Sequence, residues 1–347
     1  MKILFLTHSF FPKLGGIERT SEILSTYFTD YGAEVHLITW TVDNAINEFP
    51  FHVIRNPGIY TLLKEFLWAD IIFENNPCLK LSWPVIFFSK QHFVVLHTWL
   101  TGSNSQLKSV KLKELWLKKA NHVIAVSNKL REIVFPSAEV IKNSYDNNLF
   151  KRLPEVEKTK DFVFLGRLVS DKGVDLALML LKLLNEDLNS SASSTPYSLT
   201  IVGEGPMDTR LKKIIEEYKI EDFIEFTGPL TGNDLVKTLN EHKYILVPSR
   251  WKEPFGLVAL EGMACGCIPI VADGGGLPEA VGNAGIIFKR NDISSLYIEV
   301  TNLIQNPQFE MEIRNKLSKH LSNHTSEIVC SKYFKAITKL YHLHEQN

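Results

Sequence analysis

A chain of 347 residues exceeds one ordinary hydrophobic core and suits two α/β domains. Apolar residues make up 45% and charged residues 22%, as in a soluble globular enzyme and unlike a disordered or fibrous chain. Lys plus Arg (38) nearly cancels Asp plus Glu (39), so the overall charge gives no reason to expect nucleic acid or another polyanion as partner.

The N-terminal MKILFLTHSFFP carries the apolar run Ile3 to Leu6, then Thr7, His8 and, further on, Pro12. That run reads as a buried strand and is too short for a signal-peptide core. After strand Lys2 to Thr7 comes a loop closing on Gly15-Gly16 and a helix from about Ile17 to Tyr31. Gly32 stops the helix, and strand Val35 to Thr39 follows. Short β-rich runs recur at Phe51 to Ile54, Ile71 to Phe73, Phe93 to Leu96 and Val123 to Ala125. Apolar strands alternating with helical stretches indicate a parallel sheet covered on both faces. Trp83 to Phe88 falls far below the roughly 18 apolar residues that span a bilayer. The expectation is a protein not integral to a membrane, though able to lie on one.

The polar, aperiodic run Asn143 to Asp161 reads as an interdomain connection. Beyond it the pattern restarts, with strands at Phe162 to Gly166, Leu199 to Val202, Ile224 to Phe226, Tyr244 to Val247 and Ile268 to Val271. The stretch Asn185 to Pro196, NEDLNSSASSTP, reads as a flexible surface loop without chemistry. Cys78, Cys265, Cys267 and Cys330 form no paired zinc spacing and fit a reducing compartment. Cys265-Gly266-Cys267, at a helix end rich in small residues, reads as packing. Two doubly wound domains facing each other would place their strand C-termini on a shared cleft.

Three runs in the second half carry chemistry. In G-R-L-V-S-D-K-G-V-D, Arg167 follows a strand and Lys172 enters the next helix. Two cations at a sheet's C-terminal edge can grip a diphosphate, Arg as a fork and Lys as a point charge; a solvated loop pairing with Asp171 is the alternative. In I-V-G-E-G-P, Gly203 and Gly205 permit close backbone approach, although from that run alone a plain turn is the stronger reading. In P-S-R-W-K-E-P-F-G-L-V-A-L-E-G-M-A-C-G, Glu253 precedes a helix whose first N–H groups, near Gly256 to Val258, can hold phosphate. Glu253 can hydrogen-bond sugar hydroxyls, and Glu261, just over two turns later, can meet a ribose diol. The following A-D-G-G-G-L-P-E, Ala272 to Glu279, weighs against capping or surface roles for both glutamates.

Taken in order, these pieces resemble the retaining family-four glycosyltransferases of GT-B fold (glycosyl transferases group 1). The matching runs are G-G-I-E-R at Gly15, H-T-W-L-T-G at His97, A-V-S at Ser127 and G-R-L-x-x-x-K-G at Gly166. V-G-E-G-P at Val202, F-T-G-P-L at Phe226, the glutamate pair and the Gly-Gly-x-P-Glu loop complete the series. The connection departs from it, reading N-S-Y-D at Asn143 to Asp146 where the family has N-G-V-D.

The resemblance implies α/β architecture with two Rossmann-like doubly wound domains facing a central cleft. Its parts are an acceptor-side domain at 1–145, a nucleotide-sugar domain at 146–325 and a C-terminal helix at 326–347 crossing back. It implies that Arg167 and Lys172 neutralise the donor diphosphate and that Glu253 contacts donor-sugar hydroxyls. Phe255, Gly256, Leu257 and Val258 lie beside the donor, and Glu261 takes the ribose hydroxyls. Gly203 belongs to the donor loop, Pro229 and Leu230 lie near the nucleobase, and Gly15 and Gly16 approach the phosphates. His97 would hydrogen-bond the donor sugar. The implied reaction is transfer with retention from a nucleotide-diphosphate sugar to an acceptor hydroxyl, without cofactor or metal, by a front-face route in preference to the alternative, double displacement through an enzyme carboxylate. The implied setting is cytoplasmic synthesis of bacterial surface polysaccharide, lipopolysaccharide or glycolipid, on a glycan or lipid-linked sugar. A nucleotide-sugar-binding protein without turnover and a sugar-nucleotide epimerase are the rival readings.

One local excess of charge remains. Lys108, Lys111, Lys113, Lys118 and Lys119 interleave with Leu107, Val110, Leu112, Leu115, Trp116 and Leu117. Lys108 to Lys119 can lie on an anionic membrane with Trp116 at the interface, or can pack its leucines inward and solvate its lysines.

Overall fold

The computed structural model describes residues 1–13, 15–43, 48–100, 107–190 and 195–345. The chain divides into two compact units, Met1–Ser144 with Ser326–Asn347, and Tyr145–Thr325. The first runs β1 (Lys2–Thr7), α1 (Gly16–Asp30), β2 (Glu34–Thr39), β3 (His52–Arg55), α2 (Ile59–Trp68) and β4 (Ile71–Asn75). It continues with α3 (Leu79–Ser82), a 3-10 turn (Trp83–Phe87), β5 (Gln91–Leu96), α4 (Leu107–Lys119), β6 (His122–Ala125), α5 (Asn128–Val134) and β7 (Glu139–Val140).

The strands form one parallel sheet in the order β3-β2-β1-β4-β5-β6-β7. Strand alternation assigns the two faces. Leu4, Leu6 and Ile72 point to one side and pack with Leu62 and Phe66 of α2. Phe5 and Phe73 point to the other and stack at 4.9 Å. Phe73 there meets Phe28 of α1 at 5.6 Å and Tyr333, further along the chain, at 6.2 Å. Burying each such ring stabilises by about 1.5–3 kcal/mol.

Glu74 sits on the α2 side of β4, fully buried. Its Oε1 accepts from Ser82 Oγ at 2.8 Å and from the Cys78 N–H, and its Oε2 accepts from His92 Nε2 and Trp116 Nε1 at 2.9 Å each. Trp116 is thereby pinned under α4 and 8% exposed, which overturns its expected place at a membrane interface. An indole N–H that finds a buried carboxyl is held by it, and the ring follows inward. The side chain of Lys108, like Thr101 and Gly102 of the His97 run, lies outside the described residues.

The second unit runs β8 (Lys160–Leu165), α6 (Val174–Ser190), β9 (Leu199–Val202), α7 (Asp208–Tyr218), β10 (Ile224–Gly228), α8 (Gly232–Glu241) and β11 (His242–Val247). It closes with α9 (Leu257–Ala264), β12 (Ile268–Ala272), α10 (Leu277–Val281), β13 (Ile286–Phe288), α11 (Ile293–Gln305) and α12 (Pro307–Leu321). The sheet is parallel, in the order β10-β9-β8-β11-β12-β13. α13 (Ser326–Glu345) belongs to the first unit, where Phe334 packs on Tyr27 and Phe28 of α1.

α6 corrects the loop expected from Asn185. The helix continues to Ser190 because Asn185 is buried and brackets Tyr197, donating to its carbonyl at 3.2 Å and accepting its N–H at 2.8 Å. Residues 191–194 of that run lie outside the described residues. All four cysteines are buried, and burial raises every thiol, so none is poised as a nucleophile.

Candidate functional site

The loops after β8, β9, β10 and β11 gather at the C-terminal edge of the second unit's sheet, the usual ligand position in an open α/β sheet. Backbone bonds stitch the first three together. Gly203 N donates to Gly228 O at 2.8 Å, Leu168 N to Glu204 O at 2.8 Å, and Met207 N to Leu168 O at 3.0 Å. Gly203 has φ +137°, and a Cβ there would collide with the Gly166 carbonyl. Only glycine lets the two loops approach this closely.

The loop after β11 is clamped to the one after β8. Arg250 N and Trp251 N both donate to Asp171 O, at 2.8 and 3.1 Å. The Arg250 guanidinium grips Asp175 with two bonds, at 2.5 and 2.8 Å. This clamp brings Lys172 onto Glu253, with Nζ donating to Oε1 at 2.5 Å. Ser249 Oγ donates to the same oxygen at 2.8 Å. Glu253 is also fixed through its backbone, which bridges to Gly275 and accepts from Gly276 N at 2.7 Å. Lys172 therefore pairs with Glu253 and not with Asp171, the partner considered from sequence alone.

Gly256, at φ +128°, turns the chain into α9. The first N–H groups of that helix have no intrahelical acceptor and face an anion favourably. Phe255 is 2% exposed and packs against His324 at 5.8 Å, so its side chain anchors the turn. Leu257 and Val258 are half-buried, Arg167 and Pro229 are exposed, and Leu230 is half-buried.

Glu261 lies on α9, half-buried, and burial followed by the charge of Asp146 pushes its carboxyl up to about 7. A folded carboxyl raised above its unfolded value binds more protons than the unfolded chain. Stability therefore falls as pH rises from about 4.5 to about 7. Glu261→Gln should raise the thermal stability of the ligand-free protein at pH 8 by about 1–3 kcal/mol and flatten that slope. Calorimetry across this pH range checks it, and an unchanged slope would discard the assignment.

In the first unit, Gly15 and Gly16 are exposed at the start of α1. His97 follows β5, is 7% exposed, and burial lowers its imidazole to about 4, leaving it neutral at pH 7. Its Nε2 lies 2.7 Å from Asn75 Oδ1. Asn75 Nδ2 donates to Ser21 Oγ at 2.8 Å and reaches the Ile17 carbonyl, which can only accept, at 3.5 Å. The amide orientation therefore makes His97 Nε2 the donor and leaves Nδ1 as an acceptor.

Several supporting residues escaped the sequence reading: Asn75, Ser249, Arg250, Asp175 and Asp146. Asn75 lies in a run with no motif of its own, whereas Asp175 and Asp146 close the quoted G-R-L-V-S-D-K-G-V-D and N-S-Y-D runs, but nothing along the chain marks their partners. Ser249 and Arg250 stood inside the quoted P-S-R-W run, which was the signal available. A cavity of about 710 Å3 at the opposite, strand-start edge is lined by Arg152, Lys158, Lys243 and Arg314 among others. Its cations are already engaged, Lys158 on the carbonyls of Asn240, His242 and Cys265, and Lys243 on Asp161.

Residues 146–322, about half of the chain, match the model of the family described as glycosyl transferases group 1. The chain belongs to that family. Its relatives include a phosphatidylinositol N-acetylglucosaminyltransferase gpi3 subunit of Schizosaccharomyces pombe, 24% identical over 85% of this chain and 71% of that one. An uncharacterized glycosyltransferase of Methanocaldococcus jannaschii is 24% identical over 98% of both chains. Among solved structures, the sucrose-phosphate synthase of Thermosynechococcus elongatus superposes with a TM-score of 0.81 at 18% identity, covering 99% of each chain. Anabaena HepE in complex with UDP and glucose superposes at 0.81 and 19% identity, covering 98% of this chain and 100% of that one. The fold class expected from the motifs, two Rossmann-like domains of the GT-B glycosyltransferases, is the fold observed.

Proposed function

We propose that this glycosyltransferase moves a sugar from a nucleotide-diphosphate sugar to an acceptor hydroxyl with retention at the anomeric carbon. The observation that carries this reading is the Lys172–Glu253 pair at the C-terminal edge of the second sheet, beside the N-terminus of α9. Arg167, Lys172 and that helix end supply positive charge for a diphosphate, and Glu253 supplies an acceptor for sugar hydroxyls. Charge grows on the leaving diphosphate as the glycosidic bond breaks, so fixed cations there count most in the transition state. Gly203, Pro229 and Leu230 border the nucleotide, Glu261 takes the ribose diol, and backbone groups from Phe255 to Val258 flank the donor.

Neutral His97, with Nδ1 free to accept, hydrogen-bonds a donor-sugar hydroxyl, and Gly15 and Gly16 approach the phosphates. In this route the departing phosphate oxygen takes the acceptor proton, and neither a resident cofactor nor a divalent metal is required. The phosphatidylinositol N-acetylglucosaminyltransferase subunit among the relatives favours a glycan or lipid-linked acceptor, and WaaG, a glycosyltransferase involved in lipopolysaccharide biosynthesis, shares the fold. The proposed setting is the cytoplasmic face of a membrane, in surface-polysaccharide or glycolipid synthesis.

Thermal unfolding with UDP, GDP, ADP, dTDP and their sugar conjugates, with and without EDTA, is the test. A ligand at about a hundred times its Kd should add roughly 2.7 kcal/mol of stability. One nucleotide series should act in EDTA, more weakly below pH 7 where Glu261 gains a proton. Product NMR should then show the donor's anomeric configuration retained. Silence towards all four series would move the reading to a degenerate member, and isomerised donor without acceptor would make it an epimerase.

A further inference from the structure

We infer that one face of the first unit docks on an anionic membrane surface through α2, the Trp83–Phe87 turn and α4. The inference rests on the peripheral setting proposed above and does not depend on which sugar is moved.

These three elements cover the same side of the sheet. Leu62 and Phe66 of α2 pack with Leu4, Leu6 and Ile72, and Trp116 of α4 reaches Glu74, which shares the strand parity of Ile72. Phe66 stacks near Phe88 at 6.0 Å, tying α2 to the turn. Their inner sides are thus fully used, yet their outer sides remain apolar. Tyr60 is 83% exposed, Phe87 70%, Leu67 65% and Leu115 58%, with Ile86 and Leu112 beside them at more than half. The layer on the other side of the sheet behaves differently. Within α1, its C-cap and the described side chains of α13, the exposed large apolar residues are Tyr31, stacked on Tyr27 at 4.2 Å, and Ile328.

Charge distinguishes the occupant. Lys64 of α2, Lys80 of α3 just before the turn, and Lys111, Lys118 and Lys119 of α4 are exposed, against Glu114 of α4. Glu65 and Glu74 are turned inward, Glu65 onto His36 Nδ1 at 2.6 Å. Apolar side chains set among lysines of α2, α3 and α4 suit a fluid anionic lipid surface, whose headgroups move to meet each ammonium. A folded protein partner would have to place a fixed carboxylate at each position. Among the described residues no helix is long and apolar enough to cross a membrane, so the contact stays interfacial. Trp116 takes no part, being spent on Glu74.

Flotation of the full chain with vesicles tests this, using phosphatidylcholine mixed with phosphatidylglycerol, or phosphatidylcholine alone, at low and high salt. The chain should float with the anionic vesicles at low salt, weakly with the neutral ones, and lose binding as salt rises. Phe87→Ser with Leu115→Ser should lower the partition about tenfold or more. Lys111, Lys118 and Lys119 changed together to Gln should lower it on the order of 100-fold. A circular-dichroism melt of the first unit, recorded with nucleotide bound and matching that of the wild type, would show that both variants stay folded. Trp116→Phe should float like the wild type. Equal flotation of wild type and both multiple variants would overturn the inference. So would absence of flotation together with a dimer that Phe87→Ser dissolves, which would make this face a self-association surface. Flotation in a protein that no nucleotide stabilises would leave the docking face standing and remove the transferase reading.

Discussion

Lys172→Met is expected to lower kcat by roughly 10²–10³-fold, with a smaller rise in KM for the nucleotide sugar. Methionine keeps most of the stem and removes the ammonium that lies 2.5 Å from Glu253 Oε1. If that ammonium meets charge appearing on the leaving diphosphate, its removal raises the transition state more than the ground state. The same change strips Glu253, 9% exposed, of the cation beside it and leaves the Ser249 hydroxyl on that oxygen. The single variant should therefore also lose thermal stability. Lys172→Met combined with Glu253→Gln should recover the stability without recovering the rate. Glu253→Gln alone, which keeps the ammonium, gives the reference rate against which the ammonium's own part in kcat is read. Steady-state kinetics and thermal midpoints of the four proteins complete the cycle. Unchanged kcat in Lys172→Met would remove this residue from the diphosphate role.

Glu74→Leu should destabilise the first unit by about 3–5 kcal/mol, the range for removing one partner from a buried charged network. Four donors converge on this carboxyl: the Cys78 N–H, Ser82 Oγ, His92 Nε2 and Trp116 Nε1. Leucine fills similar space but leaves all four without an acceptor inside the unit, and each orphaned donor carries its own desolvation cost. Glu74→Gln should cost less, because the amide oxygen still accepts while its NH₂ faces donors. The loss in the leucine variant corresponds to a midpoint roughly 10 °C lower for a unit of this size, at about 2–4 °C per kcal/mol. Circular dichroism with nucleotide bound, which holds the second unit folded, would isolate the first unit's transition. A leucine variant melting with the wild type would show that water, not Glu74, satisfies these donors.

Much of the architecture was legible because its signals are local. β1 reads as a continuous apolar run since both of its sides are buried, and Ile3 to Leu6 are all 0% exposed. The Gly-rich loops were legible for a related reason. Gly203 and Gly256 adopt φ values that other residues rarely accept, so glycine marks the bend in the sequence itself. The residues at the C-terminal edge of the second sheet stood out because cations and carboxylates recur at strand ends, where an α/β sheet offers its ligand position.

What escaped the sequence is pairwise and distant. Lys172 and Glu253 are 81 positions apart, and Arg250 and Asp175 are 75 apart. No local period relates such residues, and only the order of β8 beside β11 brings their loops together. Trp116 shows the same limit from the other direction. On a helical wheel it joins a basic amphipathic stripe, and an interface would welcome its ring. Its N–H instead reaches Glu74, 42 positions earlier, and that one bond turns the indole inward.

By itself, then, the sequence determined the alternation of strands and helices, the glycine turns and the charged residues at the strand ends, because each depends on neighbours along the chain. The tertiary structure alone decided which cation meets which carboxylate, which nitrogen of His97 carries the proton, and which side of α4 faces water. Those outcomes depend on burial and on hydrogen-bond partners that sheet topology supplies from far away in the chain.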